Sequence, residues 1–193
     1  MNKMFCFQCE QTAGCTGNVG VCGKTANIAN LQDELTGALI GLARATDGDT
    51  LATASIWKVM IEGLFTTITN VNFNEETIRE LIQRVHTEKE TLVPMCSSCG
   101  SPCGRNNDYD MALLWNADED IRSLKSLILF GIRGVAAYTY HAMILGYTDE
   151  ALNRFIAKAL FVIGEDWDME QLLPIVMEVG QYNLTCMELL DKA

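Results

Sequence analysis

Leu31-Gln32-Asp33-Glu34-Leu35-Thr36-Gly37-Ala38-Leu39-Ile40-Gly41-Leu42 is the stretch that decides the fold. Its leucines at 31, 35, 39 and 42 recur every three or four residues, the period of one helix face, and Asn27 stands where an N-cap is needed. The period continues downstream. Thr53 precedes a stripe of Ile56, Met60, Leu64 and Ile68, widened by Trp57, Ile61 and Phe65. Asn74-Glu75-Glu76 opens a third segment with Ile78, Leu81, Ile82 and Val85 on its inward face. Residues 27–91 therefore predict a three-helix bundle.

From Leu92 to Ala117 the pattern stops, and Pro94, Pro102, three cysteines and Asn106-Asn107-Asp108 make a connector over residues 92–117. Beyond it Asp118-Glu119-Asp120 starts a long helix through Ile121, Leu124, Ile128, Ile132 and Val135 toward Leu145, which Gly146 stops. Thr148 is placed to cap a helix carrying Leu152, Phe155, Ile156 and Leu160. Asp168 and Gln171 have capping-box spacing for a last helix with Leu172, Ile175, Val176 and Val179 inward, which Pro174 should kink or delay. Residues 118–193 predict a second three-helix bundle. Leu39-Ile40-Gly41-Leu42 matches Leu129-Phe130-Gly131-Ile132, and the apolar positions after Glu76 and Glu170 run in step, which reads as an internal repeat. No segment alternates with period two, so the fold class is all-α: two packed three-helix bundles preceded by a cysteine-rich loop over residues 1–26.

With 193 residues, 49% of them hydrophobic, the chain can build a core without covalent staples. Fourteen basic against twenty-five acidic residues give a net charge of -11, which disfavours nucleic acid and anionic membrane surfaces and attracts a basic partner. Apolar runs fall short of a membrane span, and Met1 to Phe7 lack the basic stretch and apolar core of a secretory signal. A cytoplasmic location is expected. There, eight cysteines serve as metal ligands or buried thiols before disulfides.

Four of them, Cys6, Cys9, Cys15 and Cys22, fall in the pattern C-x2-C-x5-C-x6-C among Gly14, Gly17, Gly20 and Gly23. Loops of this kind wrap iron-sulfur clusters, because the core takes four thiolates and backbone amides near its sulfides. A structural zinc site on the same four cysteines is the alternative, although only Cys6 and Cys9 have knuckle spacing. Cys96, Cys99 and Cys103 form C-x2-C-x3-C in the connector. Read plainly they are a redox-labile turn with a Cys96 to Cys99 disulfide on oxidation; as a second metal site they would need Cys186 or His86 as fourth ligand. Cys186 reads as a small buried hydrophobe, His141 as a core or interface histidine, and Met60, Met143, Met177 and Met187 as core fillers. Asp108-Tyr109-Asp110 reads as a turn or helix start before a metal site.

Phe5-Cys6-Phe7-Gln8-Cys9-Glu10-Gln11-Thr12-Ala13, with Gly14-Cys15-Thr16 and Gly20-Val21-Cys22-Gly23-Lys24, resembles the start of the hybrid-cluster proteins, also called prismane proteins or hydroxylamine reductases. The resemblance extends through Leu31-Gln32-Asp33, Ile68 to Phe73, Asn116 to Ser123, Gly134 to Tyr138 with His141, and Met187 to Asp191. It implies an N-terminal helical domain whose Cys6, Cys9, Cys15 and Cys22 hold a [4Fe-4S] cluster, or [2Fe-2S] as in one branch of the family. The short gap Glu10 to Gly14 departs from the family's usual loop, while Thr16 to Val21 has the length of the two-iron branch. The resemblance also implies that hydroxylamine is reduced to ammonia, and nitric oxide with it, at a hybrid iron-sulfur-oxygen cluster held by later α/β domains.

Those domains are outside this sequence, and Leu190-Asp191-Lys192-Ala193 carries no helix stop, so the chain is expected to be the electron-relaying part of a longer enzyme, without a catalytic residue of its own. Its expected partners are the remaining α/β domains and a redox donor protein. Apolar surface awaiting those domains would also let two copies dimerise. The rival readings are a helical interaction module with structural zinc and a standalone small redox protein.

Overall fold

Among the described residues, every α-helix but one starts where a side-chain oxygen meets the free N–H groups of its first turn; α5 begins at Asp118 without such a bond. The computed structural model describes residues 5, 6, 8, 14–92 and 107–193. Among these are helices α1 (Ala26–Ala45), α2 (Ala54–Thr66), α3 (Glu75–Leu92), α4 (Met111–Trp115), α5 (Glu119–Ile144), α6 (Glu150–Gly164) and α7 (Met169–Asp191), with a 3-10 turn at Asp47–Asp49. Extended pairing among the described residues is limited to two isolated bridges. The protein is all-α, as its periodicity requires.

Thr53 Oγ1 accepts from the Ile56 N–H at 3.3 Å, and Asn74 Oδ1 accepts from Glu76 and Thr77 at 2.9 and 3.2 Å. The Asp168 and Gln171 box is complete, with both reciprocal bonds formed at 2.9 and 3.1 Å. Two starts differ from expectation. Thr25, not Asn27, caps α1, accepting from Ile28 at 3.3 Å, and Asn27 lies inside the first turn. Asp149, not Thr148, caps α6 at 2.9 Å from the Leu152 N–H. A carboxylate next to the positive end of a helix outcompetes a neighbouring hydroxyl. Gly146, at φ 88°, ends α5 as its sequence requires, and α7 runs through Pro174.

Helix α1 is buried on almost every side, with Leu35, Ala38, Leu39, Ile40, Leu42 and Ala43 fully enclosed. It packs on α3, α6 and α2, while α5 packs on α7, α2 and α6, so one continuous core joins both halves. Backbone crosses α1 at the connector. The Tyr109 N–H donates to the Gly37 carbonyl at 2.9 Å, and a Cβ on Gly37 would stand 2.2 Å from the Tyr109 carbonyl oxygen. Asp110 then caps α4 through the Ala112 N–H at 2.9 Å, so Asp108-Tyr109-Asp110 is the helix start that was one of its two expected readings. Gly131 allows a similar close approach between α5 and α7, where a Cβ would meet Val179 at 2.3 Å.

Helix α5 is, by length and composition, long and apolar enough to cross a membrane, which corrects the expectation that no apolar run approaches a span. Here it is a core helix, and its buried positions include Lys125 and Arg133. Met60 is enclosed and Met143 half-buried, but Met177 and Met187 are exposed, against their expected core role. They share an outward stripe of α7 with Met169, Leu173 and Leu184. Ile68 lies past the end of α2 and is half-buried.

Candidate functional site

Glycine in the left-handed region at Gly14, φ 65°, leads into the first half of the site. The Cys6 N–H donates to the Cys15 carbonyl at 3.0 Å and the Cys15 N–H to the Cys6 carbonyl at 2.8 Å, a hydrogen-bonded antiparallel pair. Residues directly opposite in such a pair present their side chains on the same face, about 5.5 Å apart at Cα. Both cysteines are half-buried and free.

A second bridge, Val19 with Thr25, closes the turn that carries Cys22. The Gly20 N–H donates to the Lys24 carbonyl at 2.7 Å, and Gly23, at φ 86°, donates back to Gly20 at 2.9 Å. Cys22 sits exposed on that turn. The turn ends on Thr25, the cap of α1, and this fixes Lys24 at the mouth of the helix with its side chain inward.

Lys24 is 1% exposed. Its ammonium donates to the Gln32 amide oxygen, to Gln8 Oε1 at 3.1 Å and to Cys6 Sγ at 3.7 Å. The loop between α2 and α3 clasps this group from outside, since Gln32 Nε2 donates to the Asn72 carbonyl at 3.0 Å and Thr69 Oγ1 donates to the Gln8 carbonyl at 3.0 Å. Arg133 of α5 lies in the same interior. Burial lowers it to about 10, while the charges of Asp33 and Cys6 pull the other way; it stays protonated at neutral pH. Asp33 is raised to about 6 by burial, against the opposing pull of Arg133 and Lys24. It opens on a cleft of about 530 Å³ beside Phe5, Tyr109 and Trp115, where Phe5 and Trp115 meet edge to face at 5.8 Å.

Of the residues read from sequence, the structure brings Cys6 and Cys15 together and leaves Cys22 on the rim. Cys9, Cys96, Cys99 and Cys103 lie outside the described residues. Among the described residues, no three of His, Cys, Asp or Glu gather as metal ligands would. Cys186 is enclosed in α7, donates to the Asn183 carbonyl at 3.0 Å and is pushed by burial to about 11, an inert thiol as expected. His86 Nε2 instead meets Asp108 Oδ2 at 2.8 Å, and Lys89 shares that carboxylate. Burial works to raise Asp108, but these two hydrogen bonds outweigh it and hold the carboxyl below its usual value. His141 is exposed rather than core, edge-on to Phe65 and Tyr140.

Sequence reasoning assigned no role to Lys24, Gln32, Asp33 or Arg133. Their signal was present in the pattern: a Gln-Asp pair within an apolar helix, and a lone arginine between Ile132 and Gly134-Val135-Ala136-Ala137.

Comparison with known proteins adds ancestry to this geometry. The family model for the Prismane/CO dehydrogenase family matches residues 4–193. A hydroxylamine reductase of Methanococcus vannielii is 39% identical over 98% of this chain and 39% of its own length. Those of Methanocaldococcus jannaschii and Caldanaerobacter subterraneus subsp. tengcongensis are 37% and 38% identical, over 98% and 99% of this chain and 38% and 39% of theirs. The chain thus spans about two-fifths of the length of these curated relatives, and with its family model covering nearly every residue it belongs to the Prismane/CO dehydrogenase family.

Proposed function

We propose that this chain is the cluster-binding, electron-relaying domain of a longer oxidoreductase of the hydroxylamine reductase type, with Cys6, Cys9, Cys15 and Cys22 as thiolate ligands. One observation carries the reading: Cys6 and Cys15 sit in hydrogen-bonded register, and the buried ammonium of Lys24 stands 3.7 Å from the Cys6 sulfur. Two thiols on one face supply two soft donors without rearrangement. Iron binds cysteine as the thiolate, and the ammonium places a positive charge beside that ligand.

The donor set fits an iron-sulfur group. When bound on four thiolates such a cluster takes up and releases single electrons. A net anionic group of this kind suits a loop floored by the enclosed Lys24 ammonium. This chain's residues do the rest. The Cys6 and Cys15 ladder fixes the spacing of two ligands, Gln8 and Gln32 orient the ammonium, and the clasp through Asn72 and Thr69 closes the floor against water. Cys22, on the exposed turn, lies on the side open to a redox donor protein.

In this reading hydroxylamine, with two electrons and two protons, becomes ammonia and water on α/β domains outside the chain, and nitric oxide is reduced there as well. The hybrid iron-sulfur-oxygen cluster belongs to those domains, and the whole enzyme works in the cytoplasm. The four-iron cluster is preferred over the two-iron one. The support is the family and the name shared by the relatives.

Anaerobic purification followed by visible absorption and iron and sulfide analysis tests the site. A brown protein with iron and acid-labile sulfide in equal amounts is expected. A colourless protein with stoichiometric zinc would make the loop a structural zinc site instead.

A further inference from the structure

Arg133 is 5% exposed in the middle of α5, yet no carboxylate pairs with it among the described residues. Its Nε donates to Thr67 Oγ1 at 3.0 Å and its Nη2 to Thr36 Oγ1 at 3.1 Å. Both hydroxyls donate their own protons to carbonyls of their own helix turns, Thr36 to Gln32 at 2.7 Å and Thr67 to Leu64 at 2.8 Å. Their lone pairs are thereby turned toward the guanidinium. Three elements, α1, the end of α2 and α5, converge to hold one cation, and the remaining nitrogen, Nη1, is buried with no partner among the described residues.

A guanidinium held only by neutral hydroxyls in the interior is unfavourable unless an anion offsets it. The carboxyl that acts on it is Asp33, and the guanidinium's partner Thr36 lies one turn along α1 from Gln32, which accepts from the Lys24 ammonium that stands 3.7 Å from Cys6 Sγ. Asp33 also faces Lys24, so two buried cations share one half-buried carboxyl. The interior beneath Cys6 therefore carries an excess of positive charge in a chain whose net charge is -11. Such an excess is what an anionic ligand set above it would require.

We propose that Arg133, joined through Thr36 to the α1 turn whose Gln32 holds Lys24, is the fixed counter-charge of the thiolate-ligated group carried on Cys6 and Cys15, and that it raises that group's reduction potential. The inference rests on the iron-sulfur reading of those cysteines. Gain of one electron makes the bound group one unit more negative, and a buried cation stabilises that state more than the oxidised one. Arg133 acts through charge at a distance and is a positioning residue; it touches no ligand.

The test is a dithionite titration, followed by electron paramagnetic resonance, of the anaerobically reconstituted protein and its Arg133→Gln and Arg133→Lys variants. Arg133→Gln should shift the midpoint negative by at least ~59 mV, a tenfold change in a one-electron equilibrium, with iron content unchanged. Arg133→Lys should keep most of the wild-type potential. A fully loaded Arg133→Gln protein at the wild-type potential would overturn the proposal while leaving the cluster reading intact. A wild-type protein without iron would instead overturn the cluster reading itself. Arg133→Met carries the same comparison if the glutamine variant does not fold. Failure of both to fold would make Arg133 a structural residue and the proposal wrong.

Discussion

Asp33 takes up its proton at about pH 6 in the folded protein, because burial outweighs the pull of Arg133 and Lys24, whereas in an unfolded chain it does so near 3.9. The folded state binds the extra proton between those values. Stability from this group is therefore present below about pH 4 and lost as the pH rises through 6. Two pKa units correspond to at most about 3 kcal/mol. In urea denaturation from pH 4 to 7, Asp33→Asn should gain stability on the wild type as the pH rises; a difference that stays constant with pH would contradict this. The loop's four cysteines stand out by spacing and neighbours, and the structure brings Cys6 and Cys15 together. Lys24 and Arg133 were harder to place, since Lys24 stands in the turn before the Thr25 cap and a lone arginine in a helical stripe reads as solvent-facing until the tertiary structure encloses it. Only the convergence of Thr36 and Thr67 on Arg133 shows how that burial is tolerated.

At the scale of elements, helix positions followed from apolar period and caps, since Thr53, Asn74 and Asp168 stand alone before their stripes. Where two cap formers adjoin, as at Thr148 and Asp149, the pattern left the start uncertain by one residue and packing or charge decided it. The start of α4 was legible at Asp108-Tyr109-Asp110, but its extent was not. Its five residues are too few for a period, and its evidence lay elsewhere, in Gly37 and Gly41 one turn apart on α1. Backbone passes over both, with Asn107 and Tyr109 oxygens 2.8 and 2.2 Å from where a Cβ would be. Gly37→Ala should accordingly cost about 3 kcal/mol, the upper range for overpacking. Gly134→Ala on α5, with nothing within 4 Å, should gain about 0.5–1 kcal/mol from helix propensity. Thermal unfolding of the two variants checks the pair, and equal effects would mean that the connector does not lie on α1 as described.

For the whole molecule, the sequence states how many helical faces are apolar but not which are covered. The inward residues of α3 and most of those of α7 are enclosed, while Met177 and Met187 belong to a second apolar stripe on α7 that no other part of the described chain covers. That stripe follows the same helical period as the core, which is why the methionines were misplaced. The chain belongs to the Prismane/CO dehydrogenase family and spans about two-fifths of the length of the curated relatives it matches. In the proposed reading the loop at its head, seated on the buried Lys24 ammonium, holds the cluster. The most direct measurement is iron and sulfide content after anaerobic reconstitution of Cys15→Ser beside Cys186→Ala. Cys15→Ser should lose the bound iron and sulfide, and Cys186→Ala, whose thiol is enclosed in α7, should bind as the wild type does. Full loading of Cys15→Ser, or loss from Cys186→Ala in a folded protein, would contradict the account.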